Sequence, residues 1–127
     1  MGTVLEAAAQ NAACDAIVDQ LDGGTIEYQI AAGTEVATLT LGTPAFGAAA
    51  AGVSAMNTVT PDSSATGNAN PVTKAVFKAA GGGTLFTVPV IESQSPGPDE
   101  IGLTNTTFNA GDPADLTAYT FTVPTGS

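Results

Sequence analysis

Residues Thr25–Leu41 alternate apolar and polar side chains with a period of two, interrupted once by a turn. No other stretch of this chain limits its fold so sharply. In Thr25-Ile26-Glu27-Tyr28-Gln29-Ile30 the even positions are apolar and the odd ones polar, which places one set on each face of a strand. Ala32-Gly33-Thr34-Glu35 reads as a turn, since Gly33 takes positive φ without steric cost. Val36-Ala37-Thr38-Leu39-Thr40-Leu41 then alternates again, with Ala37, Leu39 and Leu41 on the inward face. Each large side chain buried along this hairpin stabilises the fold by about 1.5–3 kcal/mol.

The rest of the chain repeats that pattern with less regularity. Gly42-Thr43-Pro44 is a turn, and Ala45–Gly52 is too rich in Ala and Gly to assign. Val53, Ala55 and Val59 predict a strand with those three on one face. Thr58–Thr73 reads as a long polar loop, a length that in compact domains goes with function or mobility. Lys74–Ala79 is a strand with Lys74, Val76 and Lys78 on one side and Ala75, Phe77 and Ala79 on the other. Gly81-Gly82-Gly83 turns the chain into Thr84–Ile91, where Phe86, Val88 and Val90 share a face. Pro89 lacks an N–H, which predicts an edge strand or a bulge there. After a second loop at Glu92–Glu100, stiffened by Pro96 and Pro98, Ile101–Phe108 and Ala114–Val123 are expected to pair around Asn109-Ala110-Gly111-Asp112. About seven strands with turns every 8–12 residues predict a mainly β fold, an antiparallel β-sandwich of jelly-roll or immunoglobulin-like type.

One helix precedes these strands. Thr3 and Glu6 fit a capping box, and Leu5, Ala9, Ala12, Ala13, Ala16, Ile17 and Leu21 recur at helical spacing across Thr3–Leu21. Asp22-Gly23-Gly24 ends the helix with a left-handed cap. Residues 1–24 are thus helix and cap, and residues 25–127 the β-sandwich, within a single domain. Cys14, alone in the chain, cannot form an intramolecular disulfide and reads as a small apolar side chain packed under the helix.

Twelve acidic residues against two basic ones give a net charge of −10, which disfavours binding to nucleic acid and to anionic membrane surfaces. Charged residues make up only 11% of the chain, too few to predict disorder. Hydrophobic residues reach 43%, but much of that is Ala, and aromatics only 6%; the core is therefore thin and suited to completion against neighbours. Met1–Glu6 has no basic start leading into an apolar run, so no secretion signal is expected, and no segment is apolar enough to span a bilayer.

No His and no Arg occur, so a Ser-His-Asp or Cys-His catalytic set and a His-ligated zinc site are ruled out. Gly81-Gly82-Gly83-Thr84 lacks the Lys of a phosphate loop. Asp112 and Asp115, with Asn109, offer oxygens to calcium, but their spacing matches no calcium loop and a solvated turn explains them. No pair of carboxylates is set up for glycoside hydrolysis. The expectation is a protein without catalytic residues, cofactor or metal. A sugar-binding module would need an exposed aromatic platform, yet Tyr28 and Tyr119 fall at core positions. Lys74 and Lys78 either receive an acidic partner or act as edge-strand charges that discourage aggregation.

The order of the chain resembles a family of small tailed-bacteriophage virion proteins. The similar parts are the Ala-rich helix ending in Leu21-Asp22-Gly23-Gly24-Thr25 and Val36–Leu41 running into Pro44-Ala45-Phe46-Gly47. Asn57–Gly67, Leu103–Gly111 and Tyr119–Pro124 continue the likeness, while Lys74–Ala79 is leaner in aromatics than the resemblance would lead one to expect. The resemblance implies a capsid decoration or cement protein, assembled in the host bacterial cytoplasm and carried on the virion. Its partners would be the major capsid protein or other virion proteins, and other copies of itself in a homo-oligomer such as a trimer. The contact surfaces expected are the helix face with Leu5, Ala9 and Ala13, the cations Lys74 and Lys78, the strand of Pro89, and the loop Thr58–Thr73. The competing readings are a carbohydrate-binding or adhesion module of a fibre or baseplate, and a neck or tail component.

Overall fold

A computed structural model describes residues 5–93, 100–116 and 118–123. The chain is mainly β with one N-terminal helix, α1 (Ala7–Asp19), followed by β1 (Thr25–Ile30), β2 (Glu35–Thr40), β3 (Val53–Ala55), β4 (Val72–Lys78), β5 (Thr84–Glu92), β6 (Ile101–Leu103) and β7 (Thr120–Thr122). Five strands form one curled sheet in the order β2-β1-β4-β5-β6, and β3 pairs with β7 as a separate ribbon.

The β1–β2 hairpin folds as its alternation requires. Ile26 lies opposite Leu39 and Tyr28 opposite Ala37, with an irregularity after Tyr28 where the turn begins. The Gly33 N–H donates to the Ile30 carbonyl at 2.9 Å, closing the turn with φ of 91° at the glycine. Ile26, Tyr28, Ala37 and Leu39 are fully buried, and they join Ala75 and Phe77 of β4 and Val88 and Val90 of β5 in one core. The Tyr28 hydroxyl donates to the Asp115 carbonyl at 2.9 Å, so this core tyrosine keeps a partner. Burial, and then the Asp115 charge, push its phenol well above the usual tyrosine range.

Several expectations need correction. The sheet is mixed, because β5 and β6 run parallel, Val90 opposite Ile101 and Glu92 opposite Leu103. β6 does not pair with the last strand: β7 instead joins β3, with Ser54 opposite Phe121. A short strand carries too few side chains to specify its partner, and the ribbon is chosen by packing against the sheet. Within β3 the buried residue is Ser54, not Val53 or Ala55, and its hydroxyl donates to the Gly47 carbonyl. The proposed loop segment at Pro96 and Pro98 and the capping residue Thr3 lie outside the described residues.

The helix starts at Ala7, with Glu6 in extended backbone at its N-cap. Its buried stripe is Cys14, Val18 and then Leu21, and most of the alanine positions face outward. Two of its polar residues fasten the segment that the sequence left unassigned. Asn11 Oδ1 accepts from the Gly52 N–H at 2.8 Å and Asp15 Oδ1 from the Ala49 N–H at 2.9 Å. Asp22 Oδ1, beyond the helix, accepts from the Ala45 N–H at 2.8 Å. At the junction to β1, a side chain on Gly24 would fall on the Lys78 carbonyl oxygen, so only glycine fits.

Thr58–Thr73 is not a free loop. Thr60 and Thr40 exchange backbone hydrogen bonds at 2.8 and 3.0 Å, the Thr66 N–H donates to the Val36 carbonyl, and Asp62 Oδ2 accepts from the Thr38 N–H. These contacts cover the outer edge of β2, which would otherwise offer unpaired backbone to other chains. The same segment pairs inward with the chain between β6 and β7. Asp62 and Ala114 exchange bonds at 2.8 and 2.9 Å, and the Asn68 and Val72 N–H groups donate to the Phe108 and Thr106 carbonyls.

Candidate interaction surfaces

The two edges of the five-stranded sheet are treated differently. On the β5 side, β6 pairs with Val90–Glu92, and the Ser93 N–H donates to the Leu103 carbonyl at 3.0 Å, a phase that turns the Ile101 N–H to the Pro89 carbonyl. Pro89 lies opposite Lys74 of β4, and having no N–H it can do so only at a non-hydrogen-bonded position. Along an antiparallel pair such positions alternate, so Val88 and Phe86 bond to β4, while Thr87 and Pro89 turn their backbone groups away from it; beyond Phe86 the register shifts, with Lys78 opposite Thr84 and Leu85 the extra residue. Among the described residues no backbone hydrogen bond covers Thr87 on that side.

Beside this edge an open groove of about 250 Å³ is lined by Phe86, Thr87, Val88, Pro89, Tyr119, Phe121 and Thr122. Its walls are β5 and β7. Phe86 stacks on Phe121 with ring centroids 4.9 Å apart, and on Phe77 behind it at 4.6 Å. Tyr119 closes the base, 5.1 Å from Phe77 and 6.3 Å from Phe46. Phe86 and Phe121 are half-buried, so part of each ring faces the groove. Pro89 is exposed at the point where β6 joins the sheet, and β5 is the fourth of its five strands, not an edge strand along its length. Phe86, Thr87 and Phe121, which complete the groove, were not singled out from the sequence. Their signal is the uncharged run Ala79–Ile91.

Lys74 and Lys78 share the outer face of β4 with Val76, but β4 is the central strand of the sheet, which removes their reading as edge charges. Lys78 Nζ donates to Glu27 Oε2 at 2.9 Å across the β1–β4 pair. That bond, helped by a second from Gln29, holds the Glu27 carboxyl below its usual range against the opposing effect of partial burial. Lys74 makes no ion pair among the described residues. The sheet therefore brings the two cations to one face but leaves only one of them uncommitted.

On α1, Ala9 is exposed and Leu5 and Ala13 are half-buried. The structure does not bring these together with Lys74, Lys78 or Pro89 in one described contact. Cys14 is fully buried, and burial, with the neighbouring Asp15 charge, raises its thiol above the ordinary value, the opposite of what a nucleophile needs.

A second groove, about 390 Å³, lies among Leu103, Thr104, Asn105, Phe108, Asp112, Pro113 and Asp115. Its polar side chains serve the local backbone: Asp112 Oδ2 accepts from the Asn109 N–H at 2.8 Å, Asp115 Oδ1 from the Leu116 N–H at 2.7 Å, and Asn105 Oδ1 from the Thr107 N–H at 3.1 Å. Among the described residues no three His, Cys, Asp or Glu side chains gather to hold a metal, and no helix is long and apolar enough to cross a membrane.

Comparison of the chain with family models, with curated proteins and with solved structures finds no match.

Proposed function

We propose that the chain is a structural subunit of a tailed-bacteriophage virion, a decoration or cement protein that binds the outer capsid surface as a homo-oligomer. The observation that carries this reading is the net charge of −10 on a β-rich body. Such a subunit is repelled by packaged DNA and tolerated on an exterior, where like charge keeps particles apart. The order of segments that resembles small virion proteins supports the same assignment. In this reading the β3–β7 ribbon is the thin second layer of a sandwich, held on the sheet through the rings of Tyr119 and Phe121. Individual contacts to the shell can be weak, because a symmetric lattice multiplies them.

The carbohydrate-binding reading has one observation in its favour, the groove in which Phe108 stands beside Asn105, Asp112 and Asp115. A ring flanked by carboxylate and amide groups is suited to a neutral sugar.

Purified chain mixed with bare capsids tests the proposal. Saturable binding with a rise in capsid melting temperature is the expected result. Absence of both overturns it, and specific signals on a glycan array would favour the sugar-binding reading.

A further inference from the structure

We propose that the groove beside Phe108 binds one neutral pyranose unit of a saccharide, with Asp112 and Asp115 accepting from its hydroxyls and Asn105 donating to one of them. The ligand class rests on the carbohydrate reading of this groove, and the virion assignment is not needed for it.

The groove stands ready before any ligand arrives. Between β6 and β7 the backbone is pinned at close intervals. The Thr106 and Phe108 carbonyls accept from the Val72 and Asn68 N–H groups, and the Asp112 carbonyl from the Ala65 N–H, all at 2.8 Å. The Asp115 carbonyl takes the Tyr28 hydroxyl at 2.9 Å. The volume, about 390 Å³, lies within the roughly 300–1,000 Å³ of small-molecule sites.

Three polar side chains of the lining are each anchored by one atom, which fixes what the other atom offers. Asp112 Oδ2 accepts from the Asn109 N–H and Asp115 Oδ1 from the Leu116 N–H, so Asp112 Oδ1 and Asp115 Oδ2 are left as acceptors. Asn105 has to turn its Oδ1 to the Thr107 N–H, which leaves Nδ2 as a donor. Among the described residues these three remaining atoms have no hydrogen-bond partner.

That inventory selects the ligand. Acceptors beside a ring would suit a cation, but a donor among them would not. Acceptors, a donor and a ring together suit a molecule with hydroxyls around its rim and an apolar C–H face, which describes a pyranose. Phe108, half-buried and 6.3 Å from Tyr28, supplies the ring. The two carboxylates, on a chain of net charge −10, turn away acidic sugars and phosphates.

Backbone NMR on the isotope-labelled whole chain tests this. The probes are the methyl α-pyranosides of glucose, galactose and mannose, each titrated separately, with N-acetylarginine amide as the cationic control. Saturable shifts at residues 103–115 are expected with at least one pyranoside. Asp112→Asn and Asp115→Asn each keep the anchoring bond through the amide oxygen and turn the free acceptor into a donor. Each should weaken pyranoside binding at least about tenfold, the worth of one charge-assisted hydrogen bond. Asn105→Asp keeps the bond to Thr107 and removes the donor, so it should also weaken the pyranoside. The urea midpoint identifies any variant that misfolds, and the aspartate variant that folds then carries the comparison.

No saturable shift with any of the three pyranosides, shifts confined to other residues, or affinity unchanged in the aspartate variants overturns the inference. So does a response to N-acetylarginine amide alone, made tighter by Asn105→Asp. Specific glycan-array signals that survive both aspartate substitutions remove this site and leave the carbohydrate reading standing. Pyranoside binding in the groove of a chain that binds no capsid upholds the site and removes the virion reading.

Discussion

The contact that holds the two-stranded ribbon on the five-stranded sheet runs through three rings in line, Phe77, Phe86 and Phe121. A double-mutant cycle on Phe86 and Phe121 measures it. Leucine at either position keeps most of the apolar burial and removes the ring. Phe86→Leu loses two ring pairs, to Phe77 at 4.6 Å and to Phe121 at 4.9 Å, about 1–3 kcal/mol in total. Phe121→Leu loses the second of these alone, about 0.5–1.5 kcal/mol. The double variant also loses only two pairs, because the Phe86–Phe121 contact can be removed once. The double should therefore be less destabilised than the two singles summed, by about 0.5–1.5 kcal/mol. Urea unfolding at one low protein concentration supplies the values, followed by far-ultraviolet circular dichroism and by tyrosine fluorescence, since the chain has no tryptophan. Additivity to within about 0.3 kcal/mol would refute the reasoning and mean that the rings lie side by side without holding the layers together.

Four further outcomes follow from the same structure. Phe77→Ala, in the centre of the core with no exposed surface, should cost about 3–5 kcal/mol in the same urea assay. Gly67→Ala should cost about 2–4 kcal/mol, because Gly67 has φ of 80° and a side chain there runs into the Ala110 backbone; an unchanged midpoint would contradict the close approach. Glu27 is held below its unfolded value of 4.5, so it binds its proton more readily in the unfolded chain. Its contribution is full above that pH and lost as pH falls through the folded value, and Glu27→Gln should abolish that part of the acid limb, about 0.2–1 kcal/mol by denaturant titration. Cys14 should react with a thiol reagent at least about a thousandfold more slowly in the folded chain than in urea, because the fully buried thiol is reached only through opening.

The hairpin was legible because its information is local: six residues of alternation, a glycine, and six more fix both the faces and the partner. Strands β4 and β5 were legible for the same reason, and their turn at Gly81-Gly82-Gly83 joins neighbours. What depends on distant partners was not. Ile101–Leu103 and Thr120–Thr122 are three-residue strands whose side chains fit several edges, and the parallel seating of β6 on β5 leaves no mark in composition. In the helix, alanine suits either face: of the stripe Leu5, Ala9, Ala12, Ala13, Ala16, Ile17 and Leu21 only Leu21 is fully buried, and the buried side runs through Cys14, expected to pack there, and Val18. Thr58–Thr73 reads as loop because its side chains are polar, while its order comes from backbone hydrogen bonds that any side chain permits. The β5 groove is the intermediate case. Pro89 marked the strand, but Phe86 and Phe121 looked like ordinary core residues until the ribbon was placed beside them.

The stoichiometry of the chain in purified particles tests the virion assignment most directly. Gel densitometry against the major capsid protein should give copy numbers of the same order, as a subunit repeated over the whole shell requires. A handful of copies per particle would place it at a neck or tail instead, and none at all would contradict the assignment outright.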